Sequence, residues 1–212
     1  MAFSENFEGG SFNDTLDQLS GWTLDVDGSN LFRIATGNAA LAQRTGGGGS
    51  GRTVYLCTDQ ASGDHETSVD FLAATSTTYP CTVRYVDVDN FVSGQWGGTG
   101  AAGYRLYKVI GGTETQIIAV QGANSVPFTM KVTAVGEDYE LFEEGGQMGT
   151  TQTIGTADLS TSATRQGMIQ IAEASGGTPT FDNFLAAAIV GGGANPKGPL
   201  GMPLHGPFGG PI

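Results

Sequence analysis

Positive charge is scarce in this chain: nine Lys and Arg stand against 21 Asp and Glu in 212 residues, a formal net charge of −12. No basic cluster is present to neutralise phosphates, which argues against nucleic acid and anionic membrane surfaces as partners. Charged residues are only 14% of the chain, leaving a neutral polar surface of Thr, Ser, Gly, Asn and Gln. Cysteine is limited to Cys57 and Cys81, which read as two buried small hydrophobes rather than a disulfide if the chain is made in a cytoplasm. Histidine is limited to His65 and His205, so a Ser-His-Asp or Cys-His apparatus has almost no candidates and zinc lacks a tetrahedral ligand set. No stretch approaches the roughly 20 apolar residues of a membrane span. The N-terminus lacks the basic region and apolar core of a signal peptide, so synthesis in a cytoplasm is expected.

Amphipathic helix is the remaining absence between Phe3 and Val190. What recurs instead is short alternating or β-branched runs separated by Gly, Asn, Asp and Ser, the pattern of an all-β antiparallel sandwich. Expected strands include 22–26, 32–35, 39–42, 53–57, 65–71, 81–86, 91–95, 103–110, 113–120, 128–135, 139–143, 147–154, 167–172 and 180–187. Gly111-Gly112 is a two-residue hairpin turn, because both positions can take positive φ. Further hairpins are expected through Gly136-Glu137-Asp138 and Gly145-Gly146. Along 128–135 the alternation assigns Phe128, Met130, Val132 and Ala134 to the core face and Thr129, Lys131 and Thr133 to the wetter one. The Gly-rich run at 45–51 has strands on both sides, so it reads as a surface loop rather than a domain boundary.

The organisation expected is a sandwich domain over 1–190 and an extended arm over 191–212. That arm holds five of the eight prolines and eight of the 35 glycines. Such spacing of breakers favours an extended, polyproline-like chain. Leu200, Met202, Leu204, Phe208 and Ile212 sit between the breakers, and large apolar side chains seek burial. They are the candidate partner-docking anchors.

Several segments resemble the concanavalin A-like or laminin-G-like jelly roll of phage virion and bacterial surface proteins. Phe3-Ser-Glu-Asn-Phe-Glu with Trp22-Thr-Leu is similar to its opening strand and tryptophan. Thr82-Val-Arg-Tyr-Val-Asp-Val-Asp-Asn-Phe-Val and Gly103-Tyr-Arg-Leu-Tyr-Lys-Val resemble successive hairpins. Phe128 to Val135 with Tyr139 to Gly146 is similar to the paired strands before the closing strand, and Phe181-Asp-Asn-Phe sits where such modules close. The resemblance covers roughly 3–187 and implies a fold more than an activity, since this architecture hosts lectins, glycosidases and structural modules.

Candidate chemistry is sparse. A glycosidase on this fold resembles a strand bearing Glu-x-Asp-x-x-Glu, which this chain lacks. The nearest stretch, His65-Glu66-Thr-Ser-Val-Asp70, reads as a solvent-facing strand. Calcium is a secondary cofactor candidate, with Asp25, Asp27, Asp87 and Asp89 as hard oxygen ligands in turns, although neither loop carries a closing bidentate Glu. Sugar binding needs exposed aromatic platforms, and the candidates are Trp96, Tyr79, Tyr104 and Tyr107. The leading expectation is therefore a non-enzymatic structural protein on a phage virion surface, a capsid decoration or head-fibre component. It would dock through its arm onto a partner such as a major capsid protein, as a homo-oligomer, with a trimer as the first guess. The alternative is a carbohydrate-binding module that attaches to surface glycans.

Overall fold

The computed structural model describes residues 2–7, 11, 14–26, 31–34, 42–45, 52–57, 62–73, 78–97, 103–121, 127–171 and 180–189. These form two antiparallel sheets packed face to face. The first contains β1 (Phe3–Glu5), β3 (Leu31–Ile34), β4 (Ala42–Thr45), β6 (His65–Ala73), β11 (Phe128–Val135), β12 (Asp138–Glu143), β13 (Gly146–Thr153) and β15 (Thr180–Ala188). Its order is β13-β12-β11-β6-β15-β4-β3, with β1 also paired to β15. The second contains β2 (Trp22–Val26), β5 (Arg52–Cys57), β7 (Thr78–Asp87), β8 (Asn90–Trp96), β9 (Gly103–Ile110), β10 (Thr113–Gln121) and β14 (Arg165–Ile171). Its order is β10-β9-β8-β7-β14-β5-β2. The expected all-β jelly-roll sandwich is what the chain adopts. The arm at 191–212, with Leu200, Met202, Leu204, Phe208 and Ile212, lies outside the described residues.

Alternation decides what faces inward. On β11, Phe128, Met130, Val132 and Ala134 are buried, as expected, and they meet Tyr104, Leu106 and Val92 of the second sheet in one core. Phe71 stacks on Phe128 with centroids 4.8 Å apart and meets Phe181 edge-on at 4.9 Å. Each such ring removes enough apolar surface from water to contribute about 1.5 to 3 kcal/mol. The sheets approach closely at Gly94, where an added Cβ would lie 2.8 Å from Val132 Cγ2 and 2.9 Å from Met130 Sδ. Gly111 and Gly112 take φ of 54° and 77°, the mirror-image turn that matches strand twist.

Some local expectations are corrected. The fourth described strand is 42–45, where Leu31 to Ile34 pair with Thr45 to Ala42; of the strand expected at 39–42 only Ala42 lies within the described residues. Both edges on one side of the sandwich are bulged: the β12–β13 register shifts between Tyr139 and Leu141, and the β9–β10 register between Gln116 and Ile118. Gly149, on β13, takes φ of 76°. Cys57 and Cys81 are buried thiols that lie against the Gln166 and Met130 carbonyls at 3.4 and 3.5 Å.

Candidate functional site

A second apolar cluster lies on the face of the second sheet turned away from the core. On β5, Tyr55 and Cys57 point into the main core, so Val54 and Leu56 must point out; Phe91 on β8 and Ile169 on β14 do the same beside Val92 and Met168. Val54, Leu56, Tyr79, Tyr85, Phe91, Val109 and Ile169 are all at most 3% exposed. An outward face becomes this buried when the sheet curls over it. Arg52 on β5 and Glu114 on β10 are separated by four strands, which in a flat sheet would place them about 24 Å apart at ~4.8 Å per spacing. Their side chains nevertheless meet at 2.8 Å. The face is therefore concave, with a packed floor.

The floor is a row of rings. Tyr79 meets Phe91 at 5.7 Å and Tyr107 at 5.6 Å, and Phe91 stacks near Tyr85 at 6.3 Å. Guanidinium groups lie over two of them, Arg52 at 5.6 Å from Phe91 and Arg165 at 5.1 Å from Tyr85. The rim is polar. Arg52 donates to the Val88 carbonyl at 2.8 Å and reaches Asp89 at 3.4 Å besides Glu114. The Tyr107 hydroxyl donates to Gln116 Oε1 at 3.2 Å, two residues along β10 from Glu114. Across the face, Asp25 accepts from the Tyr85 hydroxyl and from Arg165, both at 2.6 Å. Burial pushes the Asp25 carboxyl up, but these two donors outweigh it and hold the group below the ordinary carboxylate value. The buried Tyr79 and Tyr85 hydroxyls are pushed well above a phenol's usual value, first by desolvation and then by Glu114 and Asp25 respectively.

A different polar group sits between the sheets. His65 and Arg84 are fully buried, and the Arg84 backbone N–H donates to His65 Nε2 at 3.0 Å. Arg84 has φ of 52°, and β7 and β14 change register there. The bulge turns this N–H away from a strand partner and toward the imidazole. Arg84 Nη2 donates to Asp64 Oδ1 at 3.3 Å and to the Gly136 carbonyl at 3.1 Å. Burial, with the nearby Arg84 charge, lowers the His65 pKa to about 4. Sequence reasoning missed this pair, although an arginine inside the run Thr82-Val-Arg-Tyr-Val was a visible signal. Glu66 and Asp70, from the same motif as His65, do face outward: Glu66 pairs with Lys131 at 3.1 Å, and Asp70 accepts from Thr129 Oγ1 at 2.6 Å.

Of the four candidate sugar platforms, Tyr107 alone stands at the rim. Trp96 is corrected from an exposed platform to a core-facing ring, because it shares the inward side of β8 with Val92 and Gly94 and lies 5.8 Å from Phe128. Tyr104 is also corrected: it points inward, fully buried, with its hydroxyl on Glu143. Tyr79 lies on the concave face but beneath the rim, 1% exposed. Among the calcium candidates, Asp25 is engaged by Tyr85 and Arg165, and Asp89 by Arg52. Asp87 Oδ1 caps its turn, accepting from Asp89 N at 2.9 Å and Asn90 Nδ2 at 2.8 Å. Asp27 lies outside the described residues. Among the described residues, no three His, Cys, Asp or Glu converge to hold a metal ion.

The fold and this face define an antiparallel β-sandwich with a curled, ring-floored sheet. No protein-family description and no curated protein matches the chain in sequence. Solved structures do match in shape. A xylan β-1,4-xylosidase from Bacillus halodurans C-125 superposes with TM-score 0.59 at 14% identity, over 87% of this chain and 38% of that one. The GH43 BlXynB protein of Bacillus licheniformis gives 0.61 at 12%, over 88% and 39%. A Crh5 transglycosylase gives 0.54 at 12%, over 88% and 84%. This chain thus spans about two fifths of the length of the two Bacillus proteins. These likenesses overturn the expectation of a non-enzymatic protein, because the sandwich is shared with chains that process glycans. They lend no support to the virion expectation.

Proposed function

We propose that this chain is a carbohydrate-binding β-sandwich module whose ligand lies along the rim formed by Tyr107, Gln116, Glu114, Arg52 and Asp89. The observation that carries the reading is the make-up of that strip: a partly buried ring bonded to an amide at 3.2 Å and, two residues along β10, a carboxylate that shares a guanidinium with a second carboxylate at 2.8 and 3.4 Å. Tyr107 supplies an apolar body with a polar tip, suited to a sugar ring that is wet at its edge. Glu114 and Asp89, at 38% and 58% side-chain exposure, can accept from pairs of sugar hydroxyls. The packed floor below holds these groups in place before any ligand arrives, which lowers the ordering cost of binding. Shape likeness to a xylosidase and a transglycosylase supports this choice of ligand.

Titration of the chain with soluble polysaccharides tests it. Tyr107→Ala should weaken binding about 10-fold, roughly 1.4 kcal/mol, with cooperative thermal unfolding retained. Binding unaffected by this substitution would remove the rim from consideration. Assay of the same mixtures for reducing ends separates retention of the glycan from its cleavage.

A further inference from the structure

The rim's charge and hydrogen-bond inventory narrows the ligand beyond "glycan". Arg52 is held by Asp89 and Glu114, and Arg165 by Asp25. Each of these cations is therefore neutralised by an acid of the same chain. Among the exposed groups of this face are acceptors: the carboxylates of Glu114 and Asp89, the partly exposed carboxylate of Asp25 and the Gln116 amide oxygen. An acceptor-rich rim is complementary to ligands that offer many donors, and every sugar hydroxyl offers one. A uronate or sulfate group is acceptor-only, so it would meet carboxylates that cannot donate to it. The whole chain adds a net charge of −12 to the same repulsion.

We infer that the rim selects neutral, hydroxyl-rich glycans and rejects polyuronates and sulfated chains, an inference that rests on the carbohydrate-binding reading. Selectivity then comes from the repulsive element as much as from the attractive one. Neutral ligands release no condensed counterions on binding, so their affinity should be nearly independent of salt.

The intact chain is passed over immobilised unsubstituted xylan and mixed-linkage β-glucan, and in parallel over polygalacturonate and heparin, at about 20 and 300 mM NaCl, across which the Debye length shrinks several-fold. Expected is at least about 10-fold stronger retention on a neutral glycan than on either polyanion, insensitive to salt and reduced by Tyr107→Ala. Asp89→Asn should narrow the gap by strengthening polyanion binding, since Asp89 is exposed and its loss removes a repelling charge. Tighter binding to a polyanion than to the neutral chains would overturn the selectivity while leaving the glycan reading standing. Retention on no glycan, by protein shown to be folded, would overturn both.

Discussion

Acidification should strike this sandwich at His65. In the native state its imidazole accepts the Arg84 backbone N–H at 3.0 Å through Nε2, and Nδ1 faces the Ser62 carbonyl at 3.2 Å. The tautomer is thereby fixed with the proton on Nδ1. A second proton has nowhere to go, because Nε2 would then point a donor at a donor, in a site where the Arg84 guanidinium is already buried. Asp64 opposes this only in part, being shared between Arg84 and the Gly136 N–H. The native pKa is accordingly lowered from 6.5 to about 4. The native state therefore binds fewer protons than the unfolded chain between those values, so stability is fully present above about pH 6.5 and is lost as pH falls toward 4. That lowering corresponds to about 3 kcal/mol, most of it gone by pH 4.5. Urea unfolding of the wild type and of His65→Gln, at pH 7, 5.5 and 4.5, isolates this from carboxylate titration common to both. The wild type should lose about 2 to 3 kcal/mol more than the variant across that range. Parallel profiles would refute the argument.

Two substitutions probe the sandwich itself. Gly94→Ala forces a methyl against Val132 and Met130 and should cost about 1 to 3 kcal/mol by chemical denaturation. Arg52→Met keeps the apolar cover over Phe91 but cuts the ties to Val88, Asp89 and Glu114; denaturation should show a loss near 1 kcal/mol, and glycan affinity should fall more steeply than stability.

The strands were legible because alternation and turn chemistry are local. Phe128 to Val135 reads correctly from its own residues, as does the Gly111-Gly112 turn. Curvature was not legible, since it arises only when seven strands are assembled and nothing within β5 or β10 says that Arg52 and Glu114 will touch. Phe91 and Val92 are adjacent and both buried, the mark of a strand covered on two sides, and that was the available hint of a second cluster. Trp96 carried a signal against its own candidacy: counting by twos from Val92 through Gly94 puts it inside. The glycine that follows, Gly97, favours a loop, but strand parity decides where the ring points. Tyr107 has the opposite parity from Tyr104 on β9, which is why one reaches the rim and the other the core. The Arg84 bulge could not be read at all, because it depends on a mismatch between β7 and β14.

The bulged edges have a consequence for how this chain behaves among its own copies. β13 carries no charged residue, and it is the kind of strand edge onto which another chain could add and grow an aggregate. Gly149, at positive φ, interrupts its row of backbone donors and acceptors, and an added Cβ there would lie 2.9 Å from Ile118 Cγ2 of β10. The two irregular edges lie against each other, so each spoils the template the other would offer. What interrupts strand addition on that side of the molecule is thus backbone geometry rather than surface charge.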